Sequence, residues 1–180
     1  MHMYFLAVVL PEYINEKVLQ LKLMMREQYG CTVALKSPAH ITLIPPFWLH
    51  ESLEQNLLQD VNIVARTITP FTISTNNFSA FQPRTIFIAV QPNIYLNNLK
   101  QKTDDFFAAK ENYKIKLDRR PFHPHITIAT RDIHKKAFYE VWPLFEHKIF
   151  KEEWVADSIS ILRHNTKNWD ILYTAPFTFI

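Results

Sequence analysis

The sequence predicts an α+β fold made of two half-domains, each contributing a sheet. A His-apolar-Thr-apolar string occurs twice, as His40-Ile41-Thr42-Leu43 and as His125-Ile126-Thr127-Ile128. Strand-like and helix-like stretches are interspersed along the chain, and each copy of the string is followed by a helical stretch. The second half also repeats the rhythm of the first. In an extended strand, side chains alternate between faces, so His and Thr of each copy share one face, roughly 7 Å apart at about 3.3 Å per residue. The two aliphatic residues of each copy anchor the opposite face in a core. Two copies imply an internal pseudo-two-fold, and bringing their strands together would set His40 and His125 facing each other across a cleft.

The elements follow in order. Tyr4-Leu10 reads as a buried strand. Pro11 to Tyr29 reads as a helix with Ile14, Val18, Leu21 and Met25 on one face, Pro11 at its start and Gly30 as its stop. Val33-Leu35 reads as a short strand broken by Ser37-Pro38. Ile41-Ile44 is the first motif strand, ended by Pro45-Pro46. Ser52 to Ile68 forms a helix with an apolar stripe of Leu53, Leu57, Val61, Val64 and Ile68. Strands follow at Phe71-Thr75, Phe78-Phe81 and Thr85-Val90. A helix over Ile94-Lys110 turns Leu96, Leu99 and Phe106 inward. The loop Asp118-Pro124 leads into the motif strand Ile126-Thr130. A helix from His134 to His147 is weakened by Pro143. Two strands close the chain: Trp154-Arg163, with Val155, Ile159 and Ile161 facing one way, and Trp169-Phe179. No low-complexity segment or solenoid period interrupts this order, and residues 1–180 are expected to form one domain; a monomer is the expectation, though no sequence feature sets the oligomeric state.

Composition narrows the function. Hydrophobic residues make up 48% and charged residues 21%, as in an ordinary globular protein. Net charge is +3, compatible with a phosphate-bearing substrate without requiring one. The single glycine, Gly30, rules out Walker A, dinucleotide-binding and kinase-type glycine loops, each of which needs two or more. The single cysteine, Cys31, rules out an intrachain disulfide and a cysteine-based zinc cluster. The apolar run Tyr4-Leu10 lacks a basic flank and is too short to span a bilayer, so a cytoplasmic location and no membrane partner are expected.

Two imidazoles on one cleft suit paired acid–base chemistry. Histidine titrates near 6.5, so one ring can be neutral while the other is protonated. Threonine hydroxyls donate as well as accept and can hold phosphoryl oxygens. A phosphodiester fits: one imidazole takes a proton from the attacking oxygen and the other gives one to the leaving oxygen. No metal or other cofactor is needed.

The two strings resemble the paired HxTx motifs that define the 2H phosphoesterase superfamily, and within it the 2′-5′ RNA ligase-like group. The surroundings agree: SPAHITLIPPF before a helix, RPFHPHITIA after a turn, and Pro83-Arg84 leading into Thr85-Val90 like the family's central hairpin. The likeness runs from the first strand to Ser158-Leu162 and Trp169-Phe177. It implies a bilobal fold with a central cleft, His40 and His125 as the catalytic pair, and Thr42 and Thr127 on the phosphate. It also implies activity on 2′,3′-cyclic phosphates or 2′-5′ RNA linkages without metal or ATP, on RNA or a small cyclic nucleotide. Some ligase-like members carry a basic residue five positions after the second motif histidine. Here that residue is Thr130, and Arg131 follows, on the opposite face if the strand continues. This weakens the case for a long RNA and leaves a small cyclic phosphate open.

Other residues are candidates of lower rank. Arg84, Arg120 and Arg131 are possible phosphate contacts. Phe47, Phe81 and Phe122 are possible cleft-lining or base-stacking rings. His123 and His125 form an HxH pair that could ligate zinc, though Pro124 separates them and no carboxylate or cysteine neighbours them. His2, His50, His134, His147 and His164 read as surface residues. The competing function is an RNA-binding protein with a vestigial site, which is expected to have lost one of the two motifs.

Overall fold

The computed structural model describes residues 1–117 and 120–178. Among these, eight strands and four α-helices follow in the order β1 (His2–Val9), α1 (Glu12–Tyr29), β2 (His40–Leu49), α2 (Glu54–Ala65), β3 (Phe71–Phe81), β4 (Thr85–Val90), α3 (Ile94–Ala108), β5 (His125–Thr130), α4 (Lys135–Glu146), β6 (Glu153–Ala156), β7 (Ser158–His164) and β8 (Trp169–Pro176). They build two antiparallel four-stranded sheets, ordered β2-β1-β7-β8 and β5-β4-β3-β6. The expected α+β, bilobal, pseudo-symmetric architecture is present. Each sheet contains the same unit: a strand, a helix, and a returning antiparallel motif strand at the sheet edge. In the first sheet this unit is β1-α1-β2, and in the second it is β4-α3-β5.

The units interlock. Edge strand β2 packs beside edge strand β5, α1 reaches across to β5, and α3 reaches across to β2. The alternation of the motif strands drives this arrangement. Ile41, Leu43, Ile126 and Ile128 are almost fully buried in one continuous core shared by both sheets. His40, Thr42, His125 and Thr127 lie on the opposite faces and are only partly buried. Gly30 closes α1 with a left-handed φ of 70°, its N–H donating to the Arg26 carbonyl, as a helix-ending glycine does.

Several elements differ from the sequence reading. Pro45-Pro46 does not end the motif strand, and β2 runs on to Leu49. Leu6 pairs with Ile44 and Tyr4 with Phe47, so β2 has one extra residue there, in a bulge that holds the prolines. An edge strand tolerates proline because half its N–H groups have no strand to bond. Val33–Lys36 is a 3-10 turn rather than a strand. Phe71-Thr75 and Phe78-Phe81 are one strand, β3, with an irregularity at Asn77, whose φ is 57°. Trp154-Arg163 is two strands in different sheets. The chain crosses at Asp157, which reverses the phase and leaves Val155 exposed while Ile159 and Ile161 are buried. On α3 Phe107 is the fully buried ring, with Phe106 partly buried against the core, and on α1 Lys22 is buried while Leu21 packs partly buried against the core. The expected span to Phe179 ends outside the described residues, as does the start of the Asp118-Pro124 loop.

Candidate active site

His40 and His125 are the first residues of β2 and β5, and the abutting strands bring both rings to one cleft of about 440 Å³. Each ring is fixed by the residue two positions upstream. His40 Nδ1 lies 2.7 Å from the Pro38 carbonyl oxygen and His125 Nδ1 2.7 Å from the His123 carbonyl oxygen. A carbonyl can only accept, so both Nδ1 atoms carry hydrogen and both Nε2 lone pairs are left for chemistry. Each ring also packs on a buried phenylalanine of the neighbouring strand. Phe5 on β1 is 4.8 Å from His40, and Phe87 on β4 is 5.0 Å from His125, between ring centroids. The pseudo-two-fold thus extends to the supports of the two imidazoles.

Burial disfavours the charged form of both rings. It pushes His40 down to about 4, against the Pro38 carbonyl, which favours the imidazolium; the charges of Lys22 and His125 lower it further. His125 is also lowered, by burial first and then by His123, with its own carbonyl contact opposing. Both imidazoles are therefore neutral near pH 7 in the free protein. A bound phosphodiester anion would favour protonation of whichever ring it approaches.

Thr42 and Thr127 line the same cleft as the two histidines, so all four motif residues come together. The other candidates divide. Arg131 lines the cleft, because β5 ends at Thr130 and Arg131 takes a left-handed φ of 60° that re-aims the chain. The face reversal expected of a continued strand therefore does not apply. The turn is fixed by Asp132, whose N–H donates to the Thr130 carbonyl at 2.7 Å. The Asp132 carboxylate accepts from the N–H groups of Thr32 (2.6 Å) and Val33 (2.9 Å), tying this turn to the other lobe. Phe81 and Phe122 line an adjoining, more apolar hollow of about 350 Å³, together with Arg120 and Lys100. Phe47 is a correction. The bulge in β2 turns it into the core against Tyr4, where it cannot meet a substrate. Arg84 sits in the exposed β3–β4 turn and does not line either hollow. Among the described residues, no three His, Cys, Asp or Glu side chains group so as to hold a metal ion.

Four cleft residues escape sequence reasoning. Phe5 supports His40. His164 and Trp169, read as surface or strand residues, form a cleft wall with ring centroids 4.9 Å apart. Lys22 lines the cleft from α1. Its signal was available: it falls four residues after Val18 and three before Met25, a charged residue on the apolar face of a helix.

The chain belongs to the 2′-5′ RNA ligase superfamily, whose family model matches residues 11–168. It is 28% identical over 154 residues to a candidate phosphoesterase of Oceanobacillus iheyensis, covering 83% of this chain and 85% of that one. A second relative, from Bacillus mycoides, is 25% identical over 141 residues, covering 77% of each chain. The crystal structure of a Thermus thermophilus protein matches the fold with a TM-score of 0.67 at 20% identity, covering 98% of both chains. Escherichia coli LigT in complex with 3′-AMP matches with a TM-score of 0.67 at 18% identity, covering 99% of both chains. LigT has also been crystallised with ATP. Family and relatives mark this chain as a phosphoesterase-type enzyme.

Proposed function

We propose that this protein is a metal-independent phosphodiesterase that opens 2′,3′-cyclic phosphates at RNA ends or in small cyclic nucleotides, with joining or cleavage of 2′-5′ RNA linkages as the related reaction. One observation carries the reading: two imidazoles in the same tautomer present Nε2 to a single cleft, each beside a threonine hydroxyl. In ring opening, His40, the more strongly depressed of the two, is the base that takes a proton from water as its oxygen attacks phosphorus. His125, protonated when the phosphodiester anion binds, gives its proton to the departing ribose oxygen. Thr42 and Thr127 donate to the non-bridging oxygens, where charge builds in the transition state. With a ribose hydroxyl attacking phosphorus in place of water, the same groups would form the 2′-5′ ester as the ring P–O bond breaks, and the reverse of that step would cleave the ester back to the cyclic phosphate.

Both lobes of one chain supply the site, which supports one functional domain, residues 1–180, acting as a monomer. The nucleotide complexes of LigT support a nucleotide or RNA substrate. The open cleft and the neighbouring Phe81 and Phe122 suit a small nucleotide.

Turnover of the four nucleoside 2′,3′-cyclic monophosphates and of a short RNA ending in a cyclic phosphate, in EDTA, tests the proposal, with phosphorus NMR assigning 2′- or 3′-phosphate products. A single regioisomer formed in chelator supports it. No turnover of any of them, with retained salt-dependent RNA binding, would favour the binding-protein reading instead.

A further inference from the structure

Lys22 stands out once the motif residues are set aside. It is only 4% exposed, yet it lines the cleft with His40. Its Nζ donates to the Ser37 carbonyl at 3.1 Å, and among the described residues it meets no carboxylate. Buried ammonium groups are ordinarily paired, because burial removes the water that stabilises their charge. Here burial lowers Lys22 to about 8 without driving it fully neutral at pH 7. One carbonyl contact leaves two ammonium hydrogens without an acceptor among the described residues. The third buried position on the pseudo-symmetric helix α3 is Thr103, whose hydroxyl bonds back to the Leu99 carbonyl and needs nothing further. The buried helical cation is therefore a feature of α1 and not of α3, while the second lobe brings Arg131 to the cleft from the end of β5.

We propose that Lys22 is the anion-binding cation of the site, donating from Nζ to a non-bridging oxygen of the substrate's phosphate on the His40 side of the cleft. The proposal rests on the phosphoesterase reading and deepens it. It accounts for a buried lysine with no acidic partner, since the partner is the ligand. It also gives Lys22 a second effect. Its charge opposes protonation of His40, which keeps that ring ready as a base, and a bound phosphate anion compensates the same charge. The other titratable or charged groups around the cleft are Lys36, His125, Arg131 and His164.

Binding of inorganic phosphate, measured by calorimetry at pH 7 and pH 9, tests this without any assumption about the ester turned over. The wild type is expected to lose affinity as pH passes about 8, the value to which burial brings Lys22. Lys22→Met is expected to bind at least tenfold more weakly at pH 7, with no such loss at pH 9. In wild-type protein labelled at lysine Cε, the Lys22 carbon resonance should titrate near 8 and move to higher pH in saturating phosphate. An unmoved titration, or equal phosphate affinity in Lys22→Met, would overturn the proposal. Lys22-dependent phosphate binding in a protein that turns over no cyclic phosphate would uphold Lys22 and sink the cyclic-phosphate reading instead.

Discussion

His40 and His125 are held by the same device: each Nδ1 donates to the carbonyl two residues upstream, at 2.7 Å in both cases. The strands they begin lie at the edges of different sheets, yet their rings share one tautomer, one kind of aromatic support and one cleft. Two bases fixed in this way differ only in their surroundings. In the proposed mechanism those surroundings divide the work between them.

Because both rings are depressed, the pH dependence should sit on the acid side of ordinary histidine. His40 must be neutral to act as base, so the acid limb of kcat/KM should fall at about pH 4, and the limb set by His125 below the ordinary histidine value. Bound substrate anion favours the imidazolium, so both limbs of kcat should lie at higher pH than those of kcat/KM. A pH–rate series measures this directly, and an acid limb of kcat/KM at 6.5 or above would contradict it.

Thr42→Val and Thr127→Val keep side-chain shape while removing a donor. Each should lower kcat/KM by roughly 10²–10³-fold, as loss of a donor to developing charge does elsewhere. Melting temperature should change little, since both side chains are only partly buried. Steady-state kinetics alongside thermal melts separates the two effects.

Lys22→Met should stabilise the protein while impairing phosphate binding. Lys22 titrates at about 8 when folded, against an ordinary 10.5. Between these values the unfolded chain binds the extra proton, so wild-type stability rises with pH across that window. Below pH 8 the folded state carries the full cost of a buried charge, and methionine removes it. The gain at pH 7 is expected to be roughly 1–3 kcal/mol, shrinking as pH rises towards 10.5. Denaturant titrations at pH 7 and pH 10 would show it, and a less stable variant at pH 7 would argue against it.

Asp132→Ala removes the acceptor for the backbone N–H groups of Thr32 and Val33, where the Val33–Lys36 turn begins. By analogy with helix caps, the cost should be about 1–2 kcal/mol. Because Asp132 also anchors the turn that aims Arg131 at the cleft, KM should rise several-fold more than kcat falls. Equal kinetics in the variant would mean that the Arg131 turn holds its shape without this anchor.

Much of this was legible in the sequence because strand alternation is a local signal. His40 with Thr42 and His125 with Thr127 announce a shared face, and Ile41, Leu43, Ile126 and Ile128 announce the core behind it. Features that depend on distant chain were not legible. Pro45-Pro46 looks like a stop unless the strand is known to be an edge with a bulge opposite Tyr4 and Leu6. The crossing at Asp157 has no local mark, since strands on either side of it read as one. Phe47 follows the bulge and so changes face. His164 and Trp169 become cleft residues only because β7 and β8 lie in the same sheet as β2. Arg131 needed a backbone conformation that no alternation rule supplies.

The central claim is that two histidines work as one acid–base pair. Its most direct test is kcat/KM on a nucleoside 2′,3′-cyclic monophosphate, in EDTA, for wild type, His40→Ala, His125→Ala and the double variant. Each single variant should lose at least about 10³-fold, and the double should be scarcely worse than the poorer single, as for residues that act as a unit. Full activity in either single variant, or loss of wild-type activity in chelator, would contradict the account.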